Sequence, residues 1–338
     1  MLLALALLLM ADEPAPPEPQ SETRFALSVT DEGAWAAALR VPGPEAGNLL
    51  LIQPSFSWRN GQRWRFAASL AGVGETHGEA SAQLRVKETY LGFTTGDLDF
   101  SAGKRILRWG TGYAFTATGV LDPPRNATDP TDRLNLNEGR EMATAEWIQG
   151  RHALTAAWAS AGLVQEHRAG MRETVAFRYN TLLAGFDTSL IVAHDRGRTT
   201  FTGANFTRVF GEAVEVHGEF AHRDTSAVLL GGKYTMRSGF GAIFEFYAPG
   251  AGRRYAFLRA AKSRLRELPG WKEWDVAAAL VANLGDRSRI LVLDVTRRMG
   301  NHLSFYAHAQ APSGRKWRSE YGMIPYAALV SAGFRVQL

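Results

Sequence analysis

From residue 24 onward the chain alternates. Val214, Val216, Gly218 and Phe220 interleave with Glu215, His217 and Glu219, and Leu303, Phe305, Ala307 and Ala309 interleave with Ser304, Tyr306, His308 and Gln310. A period of two is the period of a β-strand, so each such segment has one apolar and one polar face. The pattern recurs in Trp64, Phe66, Ala68 and Leu70, in Leu230, Gly232, Tyr234 and Met236, and in Val330, Ala332, Phe334, Val336 and Leu338. No segment reads as a capped amphipathic helix. Strands are expected near 33–42 and 49–59, through 98–110 and 141–150, to 326–338 at the end. The count is about 18, each close to the roughly 9 to 11 residues that cross a bilayer when tilted.

The connections sort by position. After even strands come Asn60-Gly61, Gly96-Asp97, Gln149-Gly150, Gly211-Glu212, Ser238-Gly239 and Gly300-Asn301; after odd strands come the longer pieces at 74–79, 110–140, 163–171 and 312–325. Short turns on one rim and long loops on the other characterise outer-membrane barrels. Trp58, Trp64, Trp147, Tyr179 and Trp274 fall on the apolar parity near the short-turn rim, where amphipathic rings meet the membrane interface. A propeller would show a repeat of roughly 40 to 50 residues, and none is visible. A soluble sandwich would fill its inner faces with large apolar residues, whereas here mid-strand positions carry Arg, Lys, Glu and His. The expected fold is therefore all-β: a transmembrane antiparallel up-and-down β-barrel. A count of about 16 strands is the alternative, because 266–273 is long for its rim and 25–30 could be a further strand.

Among the 338 residues there is no cysteine, which excludes disulfides, thiolate metal sites and cysteine catalysis. The formal charge of +5 suits an anionic ligand, but the bases are scattered, which argues against nucleic acid. The run LLALALLLM at 2–10 is too short for a spanning helix and has the length of a signal-peptide core. The expected organisation is a signal peptide at 1–11, an acidic Pro-rich segment at 12–23 and a barrel at 24–338. Its expected place is the outer membrane of a Gram-negative bacterium, in contact with lipid and lipopolysaccharide. The final stretch, with Ser331, Gly333, Val336 and Leu338, resembles the C-terminal signal read by the bacterial barrel-assembly machinery, and that resemblance implies the machinery as a partner.

A wide barrel leaves a water-filled lumen unless something occupies it. Arg63, Arg65, Arg85, Lys87, Arg178, Lys233, Arg237 and Arg335 take the polar parity, as do Glu146, Glu215, Glu219, Glu245, His217 and His308. Bases concentrate on the third to fifth strands, and rings of Lys and Arg select anions. Glu88 is out of step with Leu84 and Val86, which predicts a bulge or a partner that draws it inward.

The alternation stops for one long stretch, rich in Gly, Pro, Asn and Asp, at 111–138. Irregular stretches of this length usually carry a function. The segment VKETYLGF at 86–93, GKRILRWG at 103–110 and LDPPRN at 121–126 followed by Asp129-Pro130 resemble a pattern in Gram-negative porin-like barrels of the alginate-export and related families. The resemblance covers roughly residues 84–142. It implies that the loop folds into the lumen and narrows it, with Lys104, Arg105, Arg108, Asp122, Arg125, Asp129, Asp132 and Arg133 near the constriction. Pro-Pro-Arg at 123–125 departs from the Asn-Pro of that pattern.

Catalysis is not expected. His194-Asp195 and His222 with Asp224 are the only neighbours that suggest a hydrolase, and no Gly-x-Ser-x-Gly or His-Glu-x-x-His occurs. Neither a cofactor nor a metal is expected. Two functions follow: a channel passing small anionic or sugar-like solutes through a basic lumen, or a closed barrel acting through its outer loops as a surface polysaccharide-binding or assembly protein. The second would use 312–325, where Trp317 and Tyr321 stand among bases.

Overall fold

A computed structural model describes residues 21–37, 39, 45–61, 63–77, 79–162, 172–265 and 270–338. The expected signal peptide and most of the Pro-rich segment lie outside the described residues, as does the 163–171 connection. Among the described residues, eighteen strands form one antiparallel sheet. They are β1 (Glu22–Ala37), β2 (Ala46–Asn60), β3 (Trp64–His77), β4 (Glu79–Thr95), β5 (Leu98–Arg105), β6 (Arg140–Gln149), β7 (His152–Ala159), β8 (Thr174–Leu183) and β9 (Phe186–Asp195). They continue as β10 (Phe201–Phe210), β11 (Val214–His222), β12 (Ser226–Thr235), β13 (Phe240–Gly250), β14 (Arg253–Lys262), β15 (Trp274–Asn283), β16 (Ser288–Met299), β17 (Leu303–Ser313) and β18 (Ala328–Gln337). Every strand pairs with its sequence neighbours, and β18 pairs back onto β1 from Ser28↔Gln337 to Ala37↔Ala328. Closure leaves no sheet edge, which is what a spanning sheet in lipid requires.

The first strand starts earlier than the sequence pattern suggested. β1 takes in 25–30, so that segment is the start of the first strand and adds none to the count. Its Glu22–Trp35 ladder with β2 is what draws it out. The expected sides hold. Leu84, Leu230, Phe244 and Leu291 are exposed on the outer, lipid-facing parity, while Leu51, His217, Glu245 and Val281 are buried inside. Short turns such as that at Gly61 (φ 58°) and Gly150 (φ 58°) need the left-handed backbone that glycine adopts without strain. Near the same rim Trp64 packs on Phe93 with ring centroids 4.6 Å apart, and Trp274 on Trp271 at 4.9 Å.

The misfit at Glu88 is a bulge. Ser69 pairs with Glu88 but Leu70 pairs with Val86, so Lys87 is the unmatched residue. Beyond this extra residue the parity of β4 flips, and Glu88 turns inward to accept the Ile106 N–H at 2.8 Å.

Strand β5 ends at Arg105, five residues before the expected 110. From Ile106 the backbone N–H groups go to carboxylates, with Glu88 taking Ile106 and Asp122 taking Trp109 (2.6 Å), so no ladder continues. The in-folded loop therefore runs from 106 to 139.

Candidate functional site: the annular loop and its carboxylate anchors

The loop makes a circuit of the inner wall. Leu107, Trp109 and Leu121 pack against Ala157, Ala159, Ala176, Ile191, Ala193 and Ala221 on β7 to β11. Ala114, Phe115 and Ala127 pack against Phe257, Val281, Ile290 and Val292 on β14 to β16. Arg133 then pairs with Glu32 of β1, and its guanidinium lies 5.1 Å from the Tyr306 ring of β17. Leu134 and Leu136 rest on Leu51, Ala71 and Val73 of β2 and β3. The Gly139 N–H finally closes on the Lys87 carbonyl of β4 at 2.9 Å. These three apolar contacts explain why the inner face is not uniformly polar: it is oily wherever the loop lies on it.

Two wall carboxylates hold the first half of the loop by its backbone. Glu219 Oε1 accepts the N–H of Thr111 (2.6 Å) and Gly112 (2.8 Å), and its Oε2 accepts those of Ala117 (2.6 Å) and Thr118 (2.7 Å). The hydroxyls of Thr116 and Thr118 donate to the same Oε2 at 3.0 Å each. Glu245 accepts the Tyr113 N–H on Oε1 and the Ala114 N–H (2.9 Å) on Oε2. Successive N–H groups converging on one oxygen pair form a nest around an anion. Here the anion belongs to the wall. Such a turn needs its glycines: a Cβ on Gly110 would stand 2.0 Å from Thr116 Oγ1, and one on Gly112 2.2 Å from the Phe115 carbonyl.

The anchors are themselves braced. His217 Nε2 lies 3.1 Å from Glu245 Oε1 across Gly231, whose missing side chain makes room for the contact; a Cβ there would stand 2.3 Å from that nitrogen. The Tyr113 hydroxyl donates to Glu215 at 3.0 Å, and burial followed by that carboxylate pushes the phenol well above its ordinary pKa, so it remains a donor. Asn205 Nδ2 donates to the Trp109 carbonyl and to Thr118 Oγ1, both at 2.8 Å. Asp122 holds Trp109 N–H and meets Arg125 at 3.2 Å. Burial raises its carboxyl pKa against the opposing pull of those partners.

The second half folds mainly on itself. Asp129 accepts the Arg133 N–H at 3.0 Å, and Asp132, at φ 47°, accepts those of Leu136 (2.8 Å) and Asn137 (3.0 Å). Gln53 of β2 donates to the carbonyls of Leu134 (3.1 Å) and Asn135 (2.9 Å). The Arg335 guanidinium donates to the Arg133 carbonyl and to Thr30 Oγ1.

The expected site residues therefore divide. Lys104 pairs with Glu138 (2.9 Å), Arg65 with Asp99 (2.5 Å), Arg125 with Asp122 and Arg133 with Glu32. Arg105 donates to Ser101 and lies over Tyr90, Arg85 donates to Gln83 (3.0 Å), and Arg63 sits exposed on the β2–β3 turn. Lys87 is buried at the bulge, and Lys233 stands 5.3 Å over the Tyr113 ring. Asp129 and Asp132 hold no arginine side chain; they shape the loop through its N–H groups. Arg108 is exposed and makes no hydrogen bond or ion pair among the described residues. It faces a cavity of about 300 Å³ enclosed by the loop alone, with Pro123, Pro124, Arg125, Asn126, Asp129, Pro130, Asp132 and Asn137 around it.

One other expectation changes. Tyr321 is buried inside with Phe257 and Ile290, because Glu320 beside it accepts bonds from Tyr255 (2.8 Å) and Asn283 (2.7 Å) and pulls the 314–327 segment inward. The 312–325 segment thus presents Trp317 but not Tyr321 to the outside. Asp195 pairs with Arg223 (2.5 Å) and accepts the Thr174 hydroxyl, and Asp224 accepts the Thr199 hydroxyl, so neither carboxylate is set against a histidine. The part played by Glu219 and Glu245 had no sequence signature beyond their inward parity.

No protein-family model matches the chain, and no curated protein matches it. Solved structures match in shape. Pseudomonas aeruginosa OccK11 (OpdR) superposes with a TM-score of 0.61 at 11% identity, covering 94% of this chain and 96% of that one. Pseudomonas aeruginosa OccD3 (OpdP) gives 0.61 at 10% identity, covering 95% and 92%. A triple mutant of Rhodopseudomonas blastica porin gives 0.52 at 10% identity, covering 94% and 100%. At such identities the likeness is one of fold: a closed antiparallel barrel of the porin kind.

Proposed function

We propose that the chain is an outer-membrane channel whose aperture is the annular loop, and that it passes small anionic or sugar-like solutes. The observation that carries this reading is the loop-lined cavity with an unpaired, exposed Arg108 on its edge. A loop that circles the wall leaves its centre as the route for a solute, and a guanidinium without an acid partner there attracts anions. The porin-like fold supports a Gram-negative outer-membrane location, and the long-loop rim is then the outer one. The reading is one of transport without catalysis.

Planar-bilayer conductance under a salt gradient tests it. The expected result is a channel with an anion-selective reversal potential, and deletion of residues 117–131 should raise its conductance. Absence of conductance would favour the closed barrel, and a cation-selective potential would refute the basic aperture.

A further inference from the structure

We infer that the outer rim of β14 to β16 is a binding surface for a phosphorylated glycolipid of the outer leaflet. This rests on the membrane orientation proposed above, but on no property of the channel. Arg254 and Arg289 are both exposed and both face the lipid side, since Tyr255, Ser288 and Ile290 beside them are buried inside. They stand at the end of the apolar band. Leu291 and Leu293 continue the Arg289 face toward the membrane centre, at 52% and 44% exposure, and Leu258 continues the Arg254 face at 51%.

The register sets their spacing. Ala282 of β15 lies opposite Ala256 of β14 and opposite Arg289 of β16, and the Leu284 N–H bonds the Arg254 carbonyl. Arg289 is thus in register with Ala256, two residues along β14 from Arg254, and the two arginines flank β15 diagonally at about 12 Å. Between them lie the small side chains of Ala256 and Ala282 and the exposed Leu284. Arg287 in the next turn and Lys316 in the loop beyond β17 are exposed on the same rim and add positive charge.

The local acids are turned away. Asp286 accepts the N–H of Ser288 (2.8 Å) and of Glu320 (2.6 Å), and Glu320 accepts Tyr255 and Asn283 from inside the barrel. Among the described residues, Arg254, Arg287 and Arg289 make no side-chain hydrogen bond or ion pair. On the short-turn rim several arginines are engaged. There Arg237 pairs with Glu212 (3.1 Å), Arg298 with Asp275 (2.6 Å), and Arg297 and Arg208 lie over Trp274 and Phe186. Unpaired guanidiniums at headgroup depth, facing lipid, match phosphate oxygens in charge and in bidentate geometry.

The test uses the full barrel in zwitterionic detergent, titrated with bisphosphorylated lipid A or with the same lipid dephosphorylated, and read by native mass spectrometry. The bisphosphorylated lipid should bind, and Arg254→Gln with Arg289→Gln should weaken it about 30-fold, at roughly fivefold per arginine. Arg254→Lys with Arg289→Lys should restore part of the affinity while keeping the rim charged. Arg208→Gln with Arg297→Gln, on the opposite rim, should leave binding unchanged. Equal binding of the dephosphorylated lipid, a double variant within twofold of the parent, or an equal loss from the opposite-rim pair would each overturn the proposal. So would displacement of the lipid by millimolar inorganic phosphate, which would mark a site for the free ion. Conductance of the Gln double variant, measured in parallel, should be unaltered, which separates this surface from the channel.

Discussion

Glu219→Gln tests the clamp on the loop most directly. In the native protein each Glu219 oxygen receives two backbone N–H groups, from Thr111 and Gly112 on one side and from Ala117 and Thr118 on the other. A glutamine has the same shape but only one acceptor oxygen. Whichever way its amide sits, an NH2 group faces two N–H donors that have no other partner within the nest. Each buried donor left unsatisfied costs about 1–3 kcal/mol, so the docked loop loses about 2–6 kcal/mol. The wall ladder between β10, β11 and β12 is untouched, so the loss falls on the loop and not on barrel closure.

Hydrogen exchange of the amides at 111, 112, 117 and 118 is the assay. A loss of about 3 kcal/mol lowers their protection roughly 150-fold, at 1.36 kcal/mol per decade. Single-channel records should show added current noise as the loop undocks. Unchanged protection at these amides would refute the view that Glu219 holds the loop by its backbone, whatever the conductance did.

Arg108→Glu should move the reversal potential toward cation selectivity without lowering barrel stability, since Arg108 has no partner to lose; an unchanged potential would remove it from the aperture. Gly231→Ala should displace His217 from Glu245, because its Cβ would stand 2.3 Å from His217 Nε2, and lower stability by about 1–3 kcal/mol in urea titrations of the vesicle-embedded protein. An effect below roughly 0.5 kcal/mol would mean that the pair relaxes freely. Glu32→Gln should leave the buried Arg133 without its carboxylate and loosen the second half of the loop, at about 3–5 kcal/mol. Loss of amide protection at Leu136 and Asn137, with Thr111 and Gly112 unaffected, would show that the two halves are anchored independently.

What the sequence reveals here depends on whether a periodic signal carries it. Strand number, closure and rim parity follow from alternation, and the Glu88 misfit pointed to a real bulge because one extra residue breaks a period of two. The end of β5 was misplaced because Ile106 to Gly110 still reads as a strand. Carboxylates eighteen and twelve to thirteen residues distant in sequence take its N–H groups instead. The inward apolar patches at Ala157 and Ala159, or at Ile290 and Val292, go against the polar inner face that alternation predicts, and only the loop that covers them gives the reason. Glu219 and Glu245 were seen only as polar wall because their partners are backbone N–H groups, which every residue but proline carries and no pattern marks.

This division of labour bears on selectivity. The acids nearest the loop, Glu219 and Glu245, are buried beneath it at 3% and 0% exposure, and convergent N–H dipoles meet their charge. Glu32 and Glu138 are taken up by Arg133 and Lys104. What a solute meets at short range in the loop-lined cavity is then set less by the overall count of bases and acids than by which of them are already engaged. Asp129 and Asp132 reach that cavity with oxygens turned to N–H groups of their own loop, whereas Arg108 reaches it with its whole guanidinium free. On the function proposed above, an aperture built this way would favour anions even though acids and bases are nearly balanced along the chain. The bias resides in one side chain and the backbone that surrounds it, so reversing the charge at position 108 should change selectivity more than reversing the paired Arg125 or Arg133.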